Sequence, residues 1–155
     1  KVLKKMPNIT FYWAGDGPYT EKIVKEFSEF KNFQWLGRLQ YPEGVSNFLS
    51  SIDIYALISG MDLAPLTLKE AQLMKKPVIA TDVGGIYEMM EDKVTGFLVK
   101  ENNSEDLIEK LTILLDDENL CNKMGDNGKQ FVIKKFNWNT IAEKFIKNIE
   151  PYIKK

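Results

Sequence analysis

The sequence predicts an α/β fold with a largely parallel sheet flanked by helices and a helical carboxyl-terminal tail. Short, continuous apolar runs alternate with segments of helical periodicity, as buried parallel strands alternate with the helices that cover them. The order strand, helix, strand repeats up to residue 99, so the crossovers should be right-handed. After residue 99 the strand pattern stops and only helical segments follow.

Each element has its own signal in the apolar pattern. Strands are predicted at residues 9–14, 33–36, 54–58, 77–81 and 97–99. Helices between them are predicted at residues 19–30, 42–50, 66–74 and 86–90. In the tail, Ser104 is expected to cap a helix whose apolar stripe includes Leu107, Leu111 and Leu114. Two further tail helices are predicted at residues 118–135 and 140–152.

The composition indicates one ordinary globular domain, residues 1–155, with a sheet region at 1–99 and the tail at 100–155. The 21 basic residues nearly cancel the 22 acidic ones, so we expect no nucleic-acid partner held by bulk charge. The single cysteine excludes an internal disulfide, and no apolar run reaches the length of about 20 residues that spans a bilayer. A cytoplasmic location is therefore expected.

The chain has no histidine, which excludes imidazole catalysis and histidine-containing zinc sites within it. Any chemistry must therefore use carboxylates, cations or backbone groups. The three tryptophans lie in apolar periodic segments, which favours a place in the core over a role as stacking surfaces.

The first two loops that follow strands are candidate ligand sites, because open α/β sheets bind ligands beyond the carboxyl ends of their strands. The first loop contains Gly15 and Gly17, for which a tight turn that caps the next helix is the main alternative role. The second contains Gly37, Arg38 and Leu39. Arg38 is the only arginine of the chain, and an isolated loop arginine is more often simply solvated.

The third loop leads into the helix predicted at residues 66–74 and has an acid on each side of the helix start. Asp62 precedes Pro65, which we expect at the first helical position, and Glu70 follows little more than one turn into the helix. The free N–H groups of Leu66 and Thr67 would attract an anion such as a diphosphate. Glu70 would then accept hydrogen bonds from a diol beside that anion.

A purely structural interpretation of these acids is equally consistent with their spacing. Asp62 would then cap the helix, and Glu70 would pair with Lys75. The fourth loop offers Gly84 and Gly85, which permit close backbone approach and could form a second, smaller anion cradle. Glycines in such turns often serve geometry alone.

The order of these motifs resembles a known family across nearly the whole chain. The resemblance is carried by the stretches NITFYWAGDGP, FQWLGRL, SSIDIYALIS, LTLKEAQLMKKPVIATDVGGIYEMMEDKVTGFLV and FNWNTIAEKF. These resemble the carboxyl-terminal domain of group 1 (family 4) retaining glycosyltransferases of the GT-B type, in which two Rossmann-like domains face a cleft. The family signature is a pair of glutamates separated by seven residues, the first in a loop and the second on the following helix, and the corresponding pair here is Asp62 and Glu70.

The resemblance implies a hexosyltransferase-type enzyme whose second domain binds a nucleotide-sugar donor such as a UDP-sugar or GDP-sugar. Glu70 would bind the ribose hydroxyls, Asp62 would face the donor sugar, and both would be catalytic. Backbone N–H groups of Leu66 and Thr67 would hold the diphosphate. The remaining implied donor-site residues are Gly15, Gly17, Gly37, Arg38 and Leu39, while Gly84 and Gly85 would be mainly structural. The resemblance implies no metal and no cofactor.

This chain departs from the family pattern at three places. These departures affect which donor would be bound more than whether a nucleotide would be bound. Asp62 stands where the family usually has glutamate, which shortens the side chain by one methylene. The family's Gly-Phe-Gly is replaced by residues 63–65, Leu-Ala-Pro, which stiffens the loop. Lys76 stands where the family usually has glycine.

The resemblance also implies parts that precede Lys1. These are an acceptor-binding amino-terminal domain, and an arginine and a lysine that neutralise the departing diphosphate. The third part is an opening strand, which would lie in the sheet between the strands predicted at residues 9–14 and 54–58. We therefore expect the enzyme's own amino-terminal domain as a partner, peripheral membrane contact only through that domain, and no transfer by this chain alone. Two alternatives stay open, a catalytically silent nucleotide-binding or structural module and a UDP-sugar epimerase-type domain.

Overall fold

The computed structural model describes residues 1–153 and has the expected α/β fold with an all-helical tail. The strands are β1 (Phe11–Ala14), β2 (Phe33–Gly37), β3 (Tyr55–Leu57), β4 (Val78–Thr81) and β5 (Gly96–Val99). The helices of the sheet region are α1 (Val2–Lys5), α2 (Thr20–Phe27), α3 (Glu43–Ser51), α4 (Leu66–Leu73) and α5 (Ile86–Met89). The tail consists of α6 (Ser104–Asp116), α7 (Glu118–Phe136) and α8 (Trp138–Ile153).

Every predicted strand and helix is present, and the differences lie at the ends. Helix α2 ends at Phe27, before the predicted residue 30, because Ser28 Oγ donates to the Lys25 carbonyl and the chain turns there. The cap of α6 is Asn103 and not Ser104. Its side-chain oxygen accepts from the Asp106 N–H at 3.0 Å, which satisfies a backbone donor of the first turn.

The strands form two separate parallel sheets. In one sheet β1 pairs with β2, and in the other the order is β3-β4-β5. Strands β1 and β3 line opposite sides of a cleft of about 990 Å³. Each of these two strands is hydrogen-bonded to a single neighbouring strand, so each leaves one hydrogen-bonding edge toward the cleft.

Strand β4 forms the centre of the hydrophobic core, and all four of its residues are buried. Its side chains alternate between two apolar clusters, one on each face of the sheet. Val78 and Ala80 pack with Leu68 of α4, whereas Ile79 packs with Leu114 of α6. Helices α4 and α6 are thereby fixed on opposite faces, and the start of α4 is held at the carboxyl end of the β3–β4–β5 sheet.

Candidate functional site

Helix α4 begins with backbone N–H groups that no side chain caps. Its first residue is Leu66, and Pro65 is the cap with an extended ψ of 121°, so the expectation that Pro65 is the first helical residue is wrong. Proline at the cap lacks a side-chain acceptor for the N–H groups that follow. Leu66 and Thr67 are both solvent-exposed residues of the first turn, and their amides lie at the positive end of the helix dipole.

Asp62 and Glu70 flank this helix tip, and the structural interpretation of the two acids is wrong. Both side chains are half-buried, and within residues 1–153 neither forms an ion pair. Lys75 pairs with Asp126 instead of Glu70, with 2.8 Å between Nζ and Oδ1. Pro65 occupies the cap position proposed for Asp62. The two carboxylates are therefore free to accept hydrogen bonds from a ligand.

The loop that carries Asp62 is held by the two glycines that follow β4. The N–H of Gly85 donates to the Asp62 carbonyl at 2.9 Å, so the expected anion cradle at this turn is already filled by backbone. A Cβ at Gly84 would lie 2.0 Å from the Asp62 carbonyl oxygen, and one at Gly85 would lie 2.2 Å from that of Leu63. Glycine is thus required for close backbone approach, as the structural role predicted for this pair implies.

A buried threonine fixes the other end of the same loop. Thr81 Oγ1 accepts from the Ser59 N–H at 2.9 Å and donates to the Ser59 carbonyl at 2.6 Å. Because Thr81 is only 2% exposed, these bonds are shielded from water. The loop from Ser59 to Pro65 is consequently tied to β4 at its beginning and to the glycine turn near its middle.

Tyr55 of β3 belongs to the site, although sequence reasoning did not identify it. Its hydroxyl donates to Thr67 Oγ1 at 2.8 Å, which links the strand to the first turn of α4. Burial raises the pKa of Tyr55, and the nearby carboxylates of Glu70 and Asp62 raise it further, while the Thr67 bond opposes the change. The phenol therefore stays protonated across the physiological pH range.

The cleft between the two sheets extends to several of the predicted donor-site residues. Gly15, Arg38 and Leu39 line it, together with Tyr55 and Thr67. Residues from the first two loops thus share one concavity with the tip of α4. Asp62, Leu66 and Glu70 lie at the helix tip, outside the lining of this cleft.

A second hollow, of about 670 Å³, lies beside the first two loops. Its lining includes the predicted residues Gly17, Gly37 and Arg38, so Arg38 borders both concavities. Trp35 also lines the second hollow and is 42% exposed, so the core interpretation of this tryptophan is wrong. Trp138 is likewise outside the core, with 84% of its surface exposed.

The hollow is shaped by backbone and indole contacts between the two loops. The Gly15 N–H donates to the Gly37 carbonyl at 2.8 Å, and Trp35 Nε1 donates to the Gly15 carbonyl at 2.8 Å. Both glycines have positive φ, 132° and 69°, which other residues rarely adopt. The Gly17 N–H is bonded to Thr20 Oγ1 at 2.7 Å, which matches the capping turn considered as its alternative role.

Residues 1–153 contain no group of three or more His, Cys, Asp or Glu side chains placed to hold a metal ion. Within the same residues, none of the helices combines the length and the apolar character that crossing a membrane requires.

The sequence matches the family described as glycosyl transferases group 1 over residues 1–131. It is 35% identical over 135 residues to an uncharacterized glycosyltransferase of Methanocaldococcus jannaschii, covering 84% of this chain and 37% of that protein. It is 33% identical over 138 residues to the O-antigen biosynthesis glycosyltransferase WbnH of Escherichia coli, covering 87% of this chain and 38% of that protein. The chain therefore spans little more than a third of the length of these relatives.

Solved glycosyltransferase structures share the fold of this chain. The carboxyl-terminal domain of the group 1 glycosyltransferase LpcC from Francisella tularensis superposes with a TM-score of 0.74 at 28% identity, covering 88% of this chain and 74% of that one. Anabaena HepE, solved with UDP and glucose, superposes with a TM-score of 0.82 at 19% identity, covering 97% of this chain and 44% of that one. From its sequence match and its fold, this chain belongs to the group 1 glycosyltransferases.

Proposed function

We propose that this chain is the donor-binding domain of a retaining glycosyltransferase that moves a sugar from a nucleotide diphosphate sugar to an acceptor. The observation that carries the proposal is the exposed, uncapped tip of α4 with an unpaired carboxylate on each side. Family membership and the UDP bound in Anabaena HepE support a nucleotide sugar as the ligand.

In this proposal the diphosphate binds at the tip of α4. The N–H groups of Leu66 and Thr67 donate to its oxygens, and the helix dipole favours the negative charge. Glu70, one turn further along, accepts hydrogen bonds from the ribose hydroxyls. Asp62, held by the glycine turn, faces the sugar. Each charge-assisted bond to a carboxylate contributes about 1.5–3 kcal/mol.

The base is proposed to lie against the first two loops. Gly15, Gly17, Gly37 and Leu39 offer backbone groups there, and Arg38 borders both concavities. The exposed face of Trp35 adds an aromatic surface to the hollow beside them. Because most of these contacts come from the backbone, we expect modest discrimination between UDP and GDP.

Transfer itself requires charge stabilisation as the nucleotide diphosphate departs. The amides at the start of α4 supply part of it without any metal ion. The remaining cations are proposed to come from the opening segment of the donor-binding domain in the whole enzyme, and the acceptor site from the enzyme's own amino-terminal domain. The chain by itself is then expected to bind the donor and to transfer nothing.

Calorimetric titration with UDP, GDP and ADP tests the proposal. We expect UDP or GDP to bind with a dissociation constant on the order of 0.1–1 mM. Glu70→Ala should weaken every nucleotide that binds by roughly tenfold or more, since it removes charge-assisted bonds to the ribose. Glu143→Ala, on the exposed face of α8, is the matched control and should change nothing. Equal affinity of wild type and Glu70→Ala would remove Glu70 from the site.

A catalytically silent nucleotide-binding module is the second candidate, and the stiff loop around Pro65 favours it. Proline at the helix cap removes one N–H that a glycine would offer. Asp62→Ala separates the two functions. A donor-sugar contact predicts weaker binding of UDP-glucose or another conjugate with unchanged binding of the free nucleotide. A silent module predicts the same change, or none, for both ligands.

A further inference from the structure

We propose that Tyr55 is a positioning residue for the diphosphate, which orients the hydroxyl of Thr67 so that Thr67 donates a hydrogen bond to a phosphate oxygen. This inference rests on the proposed function and adds a side-chain donor to the backbone amides at the tip of α4. It starts from the 2.8 Å bond between the Tyr55 hydroxyl and Thr67 Oγ1.

The first step is the hydrogen-bond capacity of the two hydroxyls. A threonine hydroxyl has one proton to donate and two lone pairs that accept. Because Tyr55 donates to Thr67, one lone pair is occupied and the threonine proton stays available. Thr67 is the second residue of α4, so no carbonyl of a preceding helical turn lies behind it to take that proton. An anion at the helix tip is the acceptor that this arrangement lacks.

The second step is the rigidity of the tyrosine. Tyr55 pairs with Val78 in the β3–β4 ladder, and its ring packs against the apolar cluster that contains Val78 and Leu68. Its hydroxyl is therefore fixed by the core. Thr67 is exposed, and without the bond its side chain would divide between two rotamers. The fixed Tyr55 hydroxyl thus restricts the side-chain conformation of the exposed Thr67 in the ligand site.

The third step concerns charge around the phenol. Asp62 and Glu70 both face Tyr55 closely enough to oppose its ionisation, and burial opposes it more. Because the phenol stays protonated, it acts only as a neutral hydrogen-bond donor or acceptor. Tyr55 hence remains a donor to Thr67 while the two carboxylates remain acceptors for the ribose and the sugar.

The test compares ligands with and without phosphate on matched variants. Tyr55→Phe removes the hydroxyl and keeps the ring, so binding of UDP should weaken about fivefold, the effect of one neutral hydrogen bond. Binding of uridine, which has the ribose and base but no phosphate, should not change. Tyr152→Phe, on the exposed end of α8, is the control and should bind both ligands as the wild type does.

Thr67 variants test the link between the two residues. Thr67→Val should weaken UDP at least as much as Tyr55→Phe does, and the double variant should be no weaker than Thr67→Val alone, because Tyr55 acts only through the Thr67 hydroxyl. Thr67→Ser, which keeps the hydroxyl, should restore most of the affinity. Circular dichroism establishes that each variant is folded.

Three results would overturn the inference. If Tyr55→Phe binds UDP as the wild type does while Glu70→Ala loses it, Tyr55 has no positioning role although the proposed function stands. If Tyr55→Phe weakens uridine as much as UDP, the tyrosine acts on the fold in general. If the wild-type chain binds uridine and UDP equally, no phosphate contact exists at this tip, and the diphosphate site fails together with the inference.

Discussion

The two sheets of this molecule bury apolar strands to different extents. Strand β4 has a hydrogen-bonded neighbour on each side and helices on both faces, and all four of its residues are buried. Strand β1 is equally apolar, but it has one neighbour and a cleft on its other edge, and none of its residues is fully buried. The number of neighbours, more than the hydrophobicity of the run, therefore determines burial.

The candidate site includes residues from both the well-buried and the less buried sheet. Asp62, Glu70 and Thr67 lie on the β3–β4–β5 side, where the core fixes α4. Gly37 and Arg38 lie at the end of β2, in the half with no fully buried residue in β1, α2 or β2. We infer that the proposed phosphate and ribose contacts are preorganised, and that the proposed contacts to the base depend on the less firmly packed half.

The largest expected effect comes from opening the core around β4. Ile79 is fully buried, so Ile79→Ala should lower the free energy of unfolding by about 2–5 kcal/mol. Tyr12→Ala in β1, where the side chain is 46% exposed, should cost clearly less. Urea denaturation of both variants measures the contrast. Similar losses would show that both sheets contribute equally to stability.

The next effect concerns the glycine turn that holds Asp62. Gly84 has a φ of 56°, and an added Cβ would lie 2.0 Å from the Asp62 carbonyl oxygen. Gly84→Ala should therefore destabilise the chain by about 1–3 kcal/mol and weaken UDP-sugar binding. Gly17→Ala is the matched control for stability, because nothing lies within 4 Å of its Cβ position. A stable Gly84→Ala variant would contradict the close packing of this turn.

A smaller contrast is expected between the backbone amides of the two sheets. Amides of β4 should exchange with solvent only on global unfolding, whereas those of β1 should exchange at least about tenfold faster through local opening. Hydrogen exchange followed by NMR resolves the two strands. An extended apolar peptide that filled the cleft would slow the hydrogen exchange of β1 selectively. Equal protection of the β1 and β4 amides in the absence of such a peptide would contradict the proposed difference in packing.

The smallest expected effect tests whether Lys75 pairs with Asp126 and not with Glu70. Its partner Asp126 lies on the surface, with the two side chains 57% and 62% exposed, so Asp126→Asn should cost less than about 1 kcal/mol in stability. Nucleotide affinity should stay unchanged, because Glu70 does not depend on Lys75. A gain or loss of UDP binding in Asp126→Asn would indicate that the freed lysine reaches Glu70.

The fold was predictable from sequence because its signals are local. Helical periodicity and caps specify the start of α6 and both ends of α7 to within a residue or two, and short apolar runs specify the strands. The acid pair Asp62 and Glu70 was also visible, since loop and helix lie next to each other in the chain. These features need no knowledge of what packs against them.

The features that were missed depend on contacts between distant segments. Tyr55 joins the site through a bond to a residue 12 positions away, which only the placement of β3 beside α4 reveals. Trp35 is 42% exposed in a two-stranded sheet, where its indole donates to the Gly15 carbonyl, a contact that the apolar run alone does not reveal. The role of Pro65 as cap depends on where the tethered loop begins, which periodicity does not show.

The most direct test is an NMR titration of the chain with UDP that follows individual backbone amides. If the tip of α4 holds the diphosphate, the amide resonances of Leu66 and Thr67 should show the largest shifts, with smaller shifts at Gly37 to Leu39. Saturating UDP that leaves the amides of Leu66 and Thr67 unchanged, or shifts only resonances of α8, would contradict the account.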